Sequence, residues 1–534
     1  MPNVKLQMRA GRLVVWLVPL VFVLASWWAA AGFPYYLDNN ETFLSYVHAR
    51  NLEIWNPAEY GWLTAEATDP MRATTEDVYT HNPNGPRYLH YLLLLVGLRE
   101  LPTQLLVLAL AGTTLTVWML ARTFGQPGLL VVALAVVLDY VGFLSWSVNT
   151  YRVWIFAVFF GLVLAVAGRR AVWAGVLTFV LFQIEYGTAL FVGVTVTVLA
   201  MLLHGWGARW LILASAAGAI LSLALFAAQV LAFYGPDGFL AELATTYARR
   251  GTAGAESGPE RFIFQAWHGL YALAMTIARD TYNRPVLLLT VAGIGFSILM
   301  LRRPDTTTSE RFVAALSVSG VFGALTTSTL LYGYFMGGFV ESLLPLTVFL
   351  IAPALGAAAL EIRRLLSFRF STPHLGTISG ALVLVPMVVS SVMHFEPPVA
   401  VPLFQMLQSD LRGRAVLAPF LGPALAGPEL AFALGGGRAA ATTDIDATPA
   451  DLERLASMSD PDGTLTYVCL DTLYLRQRTK LGAYSVCEIA EQRLTARGHP
   501  AVASGLGWTV IRLDSDERAV APPEIGAAAI ERQP

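Results

Sequence analysis

Asp38 and Glu41 stand three residues apart, directly after the first long apolar run at 13–32. A carboxylate so placed can act as a general base, removing a proton from an acceptor hydroxyl as it attacks a sugar carbon. Glu41 can instead bind the acceptor or a divalent cation, because hard cations take oxygen ligands. The structural alternative is a helix beginning near Asn39, capped by Asp38, with Glu41 on the adjoining turn. His81 stands just before Pro83 and Pro86, which stiffen the chain. It can hydrogen-bond a phosphate or an acceptor, or cap a turn.

A second group of polar residues sits at the ends of apolar runs. Tyr151-Arg152 and Glu185-Tyr186 each adjoin a candidate span. Charges at that depth are costly and usually face a cavity or a partner. Arg152 and Glu185 can pair with each other. Arg152 can equally hold a lipid phosphate and stabilise charge developing on a phosphate leaving group. Glu341 opens a late apolar run beyond Tyr332 and Tyr334, which fit an interfacial aromatic belt. Tyr151, Glu185, Tyr186, Glu341 and His81 are the candidate substrate-binding residues.

The elements that must position these residues are membrane helices. The 534 residues are 55% hydrophobic and only 13% charged, with mean hydropathy +0.57. Soluble domains carry about 25% charged residues. Continuous apolar runs exclude a β-barrel, whose strands alternate. Candidate spans lie at 13–32, 103–123, 127–144, 153–168, 171–184, 188–206, 209–234, 285–302, 311–333, 338–360 and 373–394. The expected class is therefore an all-α polytopic membrane protein of about eleven transmembrane helices. Residues 88–98 are too short to span and fit an interfacial or re-entrant helix.

Charge orients this path. Lys5, Arg9 and Arg12 place the N-terminus in the cytoplasm, and Arg122, Arg169, Arg170, Arg209, Arg302, Arg303, Arg311, Arg363 and Arg364 fall on the same side. Segment 33–86, with eight carboxylates and two arginines, is then outward. Arg87, Arg152 and Arg249 are also left outside, against the charge bias. Anion binding, here of a donor phosphate, is one reason to keep them there. The segment 234–260 is polar and glycine-rich and reads as a mobile loop. Residues 262–280 read as an amphipathic helix.

Past residue 394 the composition changes. Residues 1–394 form the expected membrane domain. Residues 395–534 alternate strand-like runs (415–418, 464–470, 508–513) with helix-like ones (428–434, 450–457, 489–497), which suggests a small α/β domain. An odd number of spans places it outside. Cys469 and Cys487, the only cysteines, lie in that domain and can pair if it faces an oxidising compartment, and two unpaired small residues are the alternative. No Walker loop is present, and Gly435-Gly436-Gly437 fits a turn.

The order of motifs resembles the GT-C superfamily of integral-membrane glycosyltransferases, in the branch of protein O-mannosyltransferases and lipid A aminoarabinose transferases (family 39-related). The residues that carry the resemblance are 37–42, 81–95, 120–125, 147–152 and 185–188, all within about the first 200 residues. The chain departs from the pattern in three places. Two asparagines separate Asp38 from Glu41, Pro83 has no second adjacent proline, and Glu185 stands where histidine is common. The first departure leaves open which carboxylate is the base. The resemblance implies transfer of a sugar from a polyprenyl-phosphate donor, with inversion, to a glycan, lipid or protein acceptor. It places that reaction at the outer face of the cytoplasmic membrane. No cofactor is certain from the residues, and a divalent cation is the one candidate. A transporter or flippase of lipid-linked saccharides, and a non-catalytic envelope-assembly relative, are the competing readings.

Overall fold

The computed structural model describes residues 40–54, 57–58, 61–65, 78–79, 84–101, 103–108, 110–112, 114–115, 118, 150–250, 267, 271, 284–330, 350–365, 401–419, 439–442, 465–471, 485–499 and 501–513. Contacts divide the chain into two compact units, Met1–Ala67 with Ala73–Pro397, and Thr68–Arg72 with Pro398–Pro534.

The first unit is helical. Segment 33–86 is more ordered than a loop. It contains helix α1 (Asn40–Ile54) and a two-stranded antiparallel ribbon, β1 (Thr64–Ala65) with β2 (Val78–Tyr79). Helix α2 (Gly85–Leu95) follows and packs against α1. The larger helices are α3 (Thr150–Ala167), α4 (Ala171–Ile184), α5 (Tyr186–His204), α6 (Arg209–Arg250), α7 (Arg284–Arg302), α8 (Thr308–Leu330) and α9 (Ala352–Leu365). Helix α4 packs on α6 and α3, α8 on α5, and α7 on α9 and α8. Their shared core includes Phe159, Phe160, Leu181, Phe191, Leu199 and Leu316.

The outward faces of these helices are also apolar. Val172, Trp173, Leu213, Ile220, Leu221, Leu288 and Val291 are all exposed. Helices apolar on every side are solvated by other helices or by hydrocarbon. One helical stretch among the described residues, Tyr186–Ala244, is long and apolar enough to cross a membrane, with an 18-residue window of mean hydropathy 2.3. Shorter apolar helices cover Ala157–Ala167, Ala171–Ile184, Leu287–Arg302 and Ala352–Ile362. The candidate spans at 13–32, 127–144 and 373–394 lie outside the described residues.

Glycine sets the helix spacing. A Cβ on Gly218 of α6 would overlap the Gly175 carbonyl of α4. One on Gly293 of α7 would overlap the Ala354 carbonyl of α9. Small residues at such crossings let backbones approach where lipid gives helices no hydrophobic reason to associate. Helix α8 starts with a capping box: Glu310 accepts from the Thr307 amide at 3.0 Å, and the Thr307 hydroxyl accepts from the Glu310 amide at 3.3 Å.

One expectation is corrected here. Residues 236–250, read above as part of a mobile loop, continue α6 as helix. Gly235 takes φ 72°, and Pro236 opens the helix beyond the kink. The left-handed value suits glycine, and proline suits a first helical position, so turn-forming residues here redirect a helix instead of ending it. Of 262–280, residues 267 and 271 are described, and both are helical.

The second unit holds α10 (Val401–Gln408), β3 (Val416–Pro419), β4 (Ala439–Thr442), β5 (Leu465–Leu470), α11 (Val486–Ala496), β6 (Ala501–Gly505) and β7 (Trp508–Leu513). The sheet order is β4-β3-β5-β7-β6, with β3 parallel to β4 and β5, and β7 antiparallel to β5 and β6. Helix α11 begins three residues before the expected run because Ser485 and Glu488 form a capping box. Its buried Cys487, Ala490 and Leu494 join Leu417, Tyr467 and Ile511 in the core. Cys469 and Cys487 form a disulfide, with Cα atoms 5.5 Å apart. Beside it, Asp471 accepts from the Val486 amide at 2.9 Å and the Ser485 hydroxyl at 3.2 Å.

Candidate functional site

Segment 33–86 returns to the helical bundle at Asn84-Gly85-Pro86-Arg87. Pro86 lies in the first turn of α2, where its missing amide costs nothing. Gly85 sits so close to α4 that a Cβ would overlap the Gln183 carbonyl. The start of α2 is thereby fixed against the last turn of α4, two residues before the α4–α5 junction at Glu185-Tyr186.

A buried polar network gathers at this point. Arg87 is only 3% exposed, and its Nη1 donates to Asn84 Oδ1 at 2.8 Å. The Thr64 hydroxyl donates to the same oxygen at 2.9 Å. Thr64 Oγ1 lies 2.9 Å from His48 Nδ1. Because the Thr64 proton goes to Asn84, His48 must donate from Nδ1, which assigns the neutral Nδ1–H tautomer. Burial, and then the charge of Arg87, push the His48 pKa well below its usual value. The network joins α1, β1 and α2, and it orients a guanidinium in a largely dry setting.

Further contacts tie the network to the bundle. Tyr88 donates to the Trp62 carbonyl at 2.5 Å and accepts from Gln229 of α6 at 3.2 Å. Gly61, at φ 59°, lies against the Gln229 carbonyl. Gln183 donates to the Ser222 hydroxyl at 2.8 Å, linking α4 to α6. Below, His90 Nδ1 donates to Gln104 Oε1 at 2.6 Å, and burial lowers its pKa to about 4. Glu53 pairs with Arg50 at 3.1 Å and with Arg99 at 2.5 Å on the exposed side.

Glu185 has a structural part as well. It separates α4 from α5 and caps α5, accepting from the Gly187 amide at 2.7 Å and the Thr188 amide at 2.6 Å. The Tyr186 ring packs edge-on to Phe226 of α6, with centroids 5.8 Å apart.

Of the other candidates, Glu41 lies in the first turn of α1, Tyr151 and Arg152 in the first turn of α3, and Arg249 at the end of α6. For these four the backbone alone is described. Asp38, His81 and Glu341 lie outside the described residues. The structure thus brings Arg87, Glu185 and Tyr186 into one neighbourhood through Gly85 and Gln183. Sequence reasoning missed His48, Thr64, Asn84 and Gln229. His48 carried a signal, since Ser45, His48 and Leu52 share one helical face and are all buried. Among the described residues, no group of three His, Cys, Asp or Glu side chains is placed to hold a metal ion.

No family model and no curated protein matches the chain. Among solved structures it is similar to the crystal structure of ArnT from Cupriavidus metallidurans bound to undecaprenyl phosphate. The alignment covers 98% of this chain and 99% of that one, at 14% identity and a TM-score of 0.45. At this identity and overlap, no residue role is carried across.

Proposed function

We propose that the protein is a membrane glycosyltransferase that takes a sugar from a polyprenyl-phosphate donor and passes it, with inversion, to a hydroxyl acceptor at the outer face of the cytoplasmic membrane. The observation that carries this reading is the buried Arg87, oriented by Asn84 and Thr64 where segment 33–86 meets the bundle. A buried guanidinium at the edge of an apolar bundle is costly to keep. Its fork geometry suits a phosphate. Arg152 and Arg249 are the further candidates for that phosphate.

Asp38 is the general base and Glu41 its support. The base takes the acceptor proton, and the acceptor oxygen bonds to the anomeric carbon. The bond from that carbon to the phosphate oxygen breaks, and its electron pair leaves with the phosphate. His81, Tyr151, Tyr186, Glu185 and Glu341 are the candidates to bind sugar and acceptor.

Purified protein and Asp38→Asn and Glu41→Gln variants should be assayed for sugar transfer from a polyprenyl-phosphate donor. Asp38→Asn should lower turnover by roughly 10²–10⁴-fold with donor binding nearly unchanged. Loss in Glu41→Gln with normal turnover in Asp38→Asn would exchange the two roles. Normal turnover in both would remove these carboxylates as the base, and no transfer by the wild type would favour a transporter.

A further inference from the structure

Helices α4, α5 and α6 present a second polar surface at the end opposite Glu185. The fourteen residues of α4 hold the two ends about 21 Å apart. Arg169 and Arg170 lie in the turn between α3 and α4. His204 ends α5, and Arg209 opens α6. All three arginines are exposed, and neither 150–184 nor 186–236 contains a carboxylate. Among the described residues, none of the three meets an acid.

Arg169 is held in an unusual way. Its φ is 53°, a left-handed conformation that costs a non-glycine residue free energy. His204 Nε2 donates to the Val166 carbonyl at 2.8 Å. His204 Nδ1 is therefore an acceptor, and it receives the Arg169 Nε proton at 3.2 Å. With Nε engaged, the two terminal nitrogens remain for a bidentate contact with an oxyanion.

Aromatic residues surround the cations. Trp206 is 93% exposed and Trp210 64% exposed. The Arg209 guanidinium lies over the Trp210 ring, 5.7 Å from its centroid. Exposed tryptophans at the end of apolar helices sit at headgroup depth in a bilayer. Cations without acids at that depth match the charge of an anionic lipid phosphate.

We propose that Arg169, Arg170 and Arg209, flanked by Trp206 and Trp210, form a binding site for the headgroup of an anionic phospholipid. This site is separate from the proposed donor site and does not depend on the transferase reading. Glycine would relax the backbone at position 169, so a strained arginine there points to use of its guanidinium.

The test uses the full-length protein in neutral detergent, titrated with phosphatidylglycerol, phosphatidylcholine or inorganic phosphate. Bound lipid is read by native mass spectrometry. The wild type should bind phosphatidylglycerol in preference to phosphatidylcholine. Each arginine removed should weaken that binding about fivefold. Arg169→Gly is the decisive variant, because glycine accepts the left-handed backbone. It should keep or raise the thermal midpoint while binding phosphatidylglycerol about fivefold more weakly. Arg209→Gln should weaken binding to a similar degree. Equal affinity for phosphatidylcholine would overturn the proposal, as would wild-type phosphatidylglycerol binding by Arg169→Gly. Displacement of the lipid by millimolar inorganic phosphate would reassign the site to a free anion and also overturn it.

Discussion

At the scale of single residues, the site depends on Arg87 and on the neutral histidines near it. Arg87→Ala should weaken binding of the proposed polyprenyl-phosphate donor. A charge-assisted contact is worth about 1.5–3 kcal/mol, or roughly 10- to 150-fold in affinity. Arg87→Lys keeps the charge but not the fork and should recover only part of the loss. Unchanged affinity in both variants would leave Arg87 a structural role, bracing Asn84. The histidines give a pH signature. The folded protein holds His48 and His90 with lowered pKa values, His90 at about 4. Below about pH 6.5 the unfolded chain binds protons that the folded chain refuses. Stability is therefore full above that pH and falls as pH drops toward the folded values. Each histidine contributes a slope of up to about 1.4 kcal/mol per pH unit. Unfolding midpoints taken from pH 7.5 to pH 5 should decline, and His90→Gln should flatten the decline.

At the scale of elements, Gly85 decides how α2 meets α4. Gly85→Ala would drive a methyl group into the Gln183 carbonyl, and overpacking of this kind costs about 1–3 kcal/mol. The variant should melt lower and bind donor more weakly, because Arg87 moves with α2. Gly193→Ala in α5 is the control, since a Cβ there meets nothing within 4 Å. If both variants behaved alike, the α2–α4 contact would not be what fixes the site. The helices themselves were legible. Residues 171–184 are bounded as expected because Arg170 and Glu185 interrupt the apolar run. Strands β4 and β6 were not legible, since Ala439–Thr442 and Ala501–Gly505 are mostly small residues with little β preference. The site was legible only in part. Its charged members stood out against apolar surroundings. Thr64 and Asn84 did not, because a hydrogen bond between residues twenty apart leaves no local spacing to read.

At the scale of the whole molecule, the reading requires one sidedness. Segment 33–86 and the second unit should both lie outside, with the N-terminus in the cytoplasm. A reporter enzyme active only outside the cytoplasm, fused after Ala400, should be active. A silent fusion with a cytoplasmic reporter active at the same place would refute the reading. The Cys469–Cys487 disulfide fits an oxidising compartment.

The strand order of the second unit also bears on the timing of its synthesis. Of the described strands, β7 is the last to leave the ribosome, yet it lies between β5 and β6. Until Trp508–Leu513 has emerged, β6 has no neighbour and β5 has one bare edge. On the outward reading, the cysteines at 469 and 487 would be exported before that strand and could be oxidised while the sheet is still open. A chain that stops short of Trp508 would therefore carry a closed disulfide beside an unpaired strand edge. Such an edge is a template for pairing with other chains, so an interrupted product would be a target for proteolytic clearance.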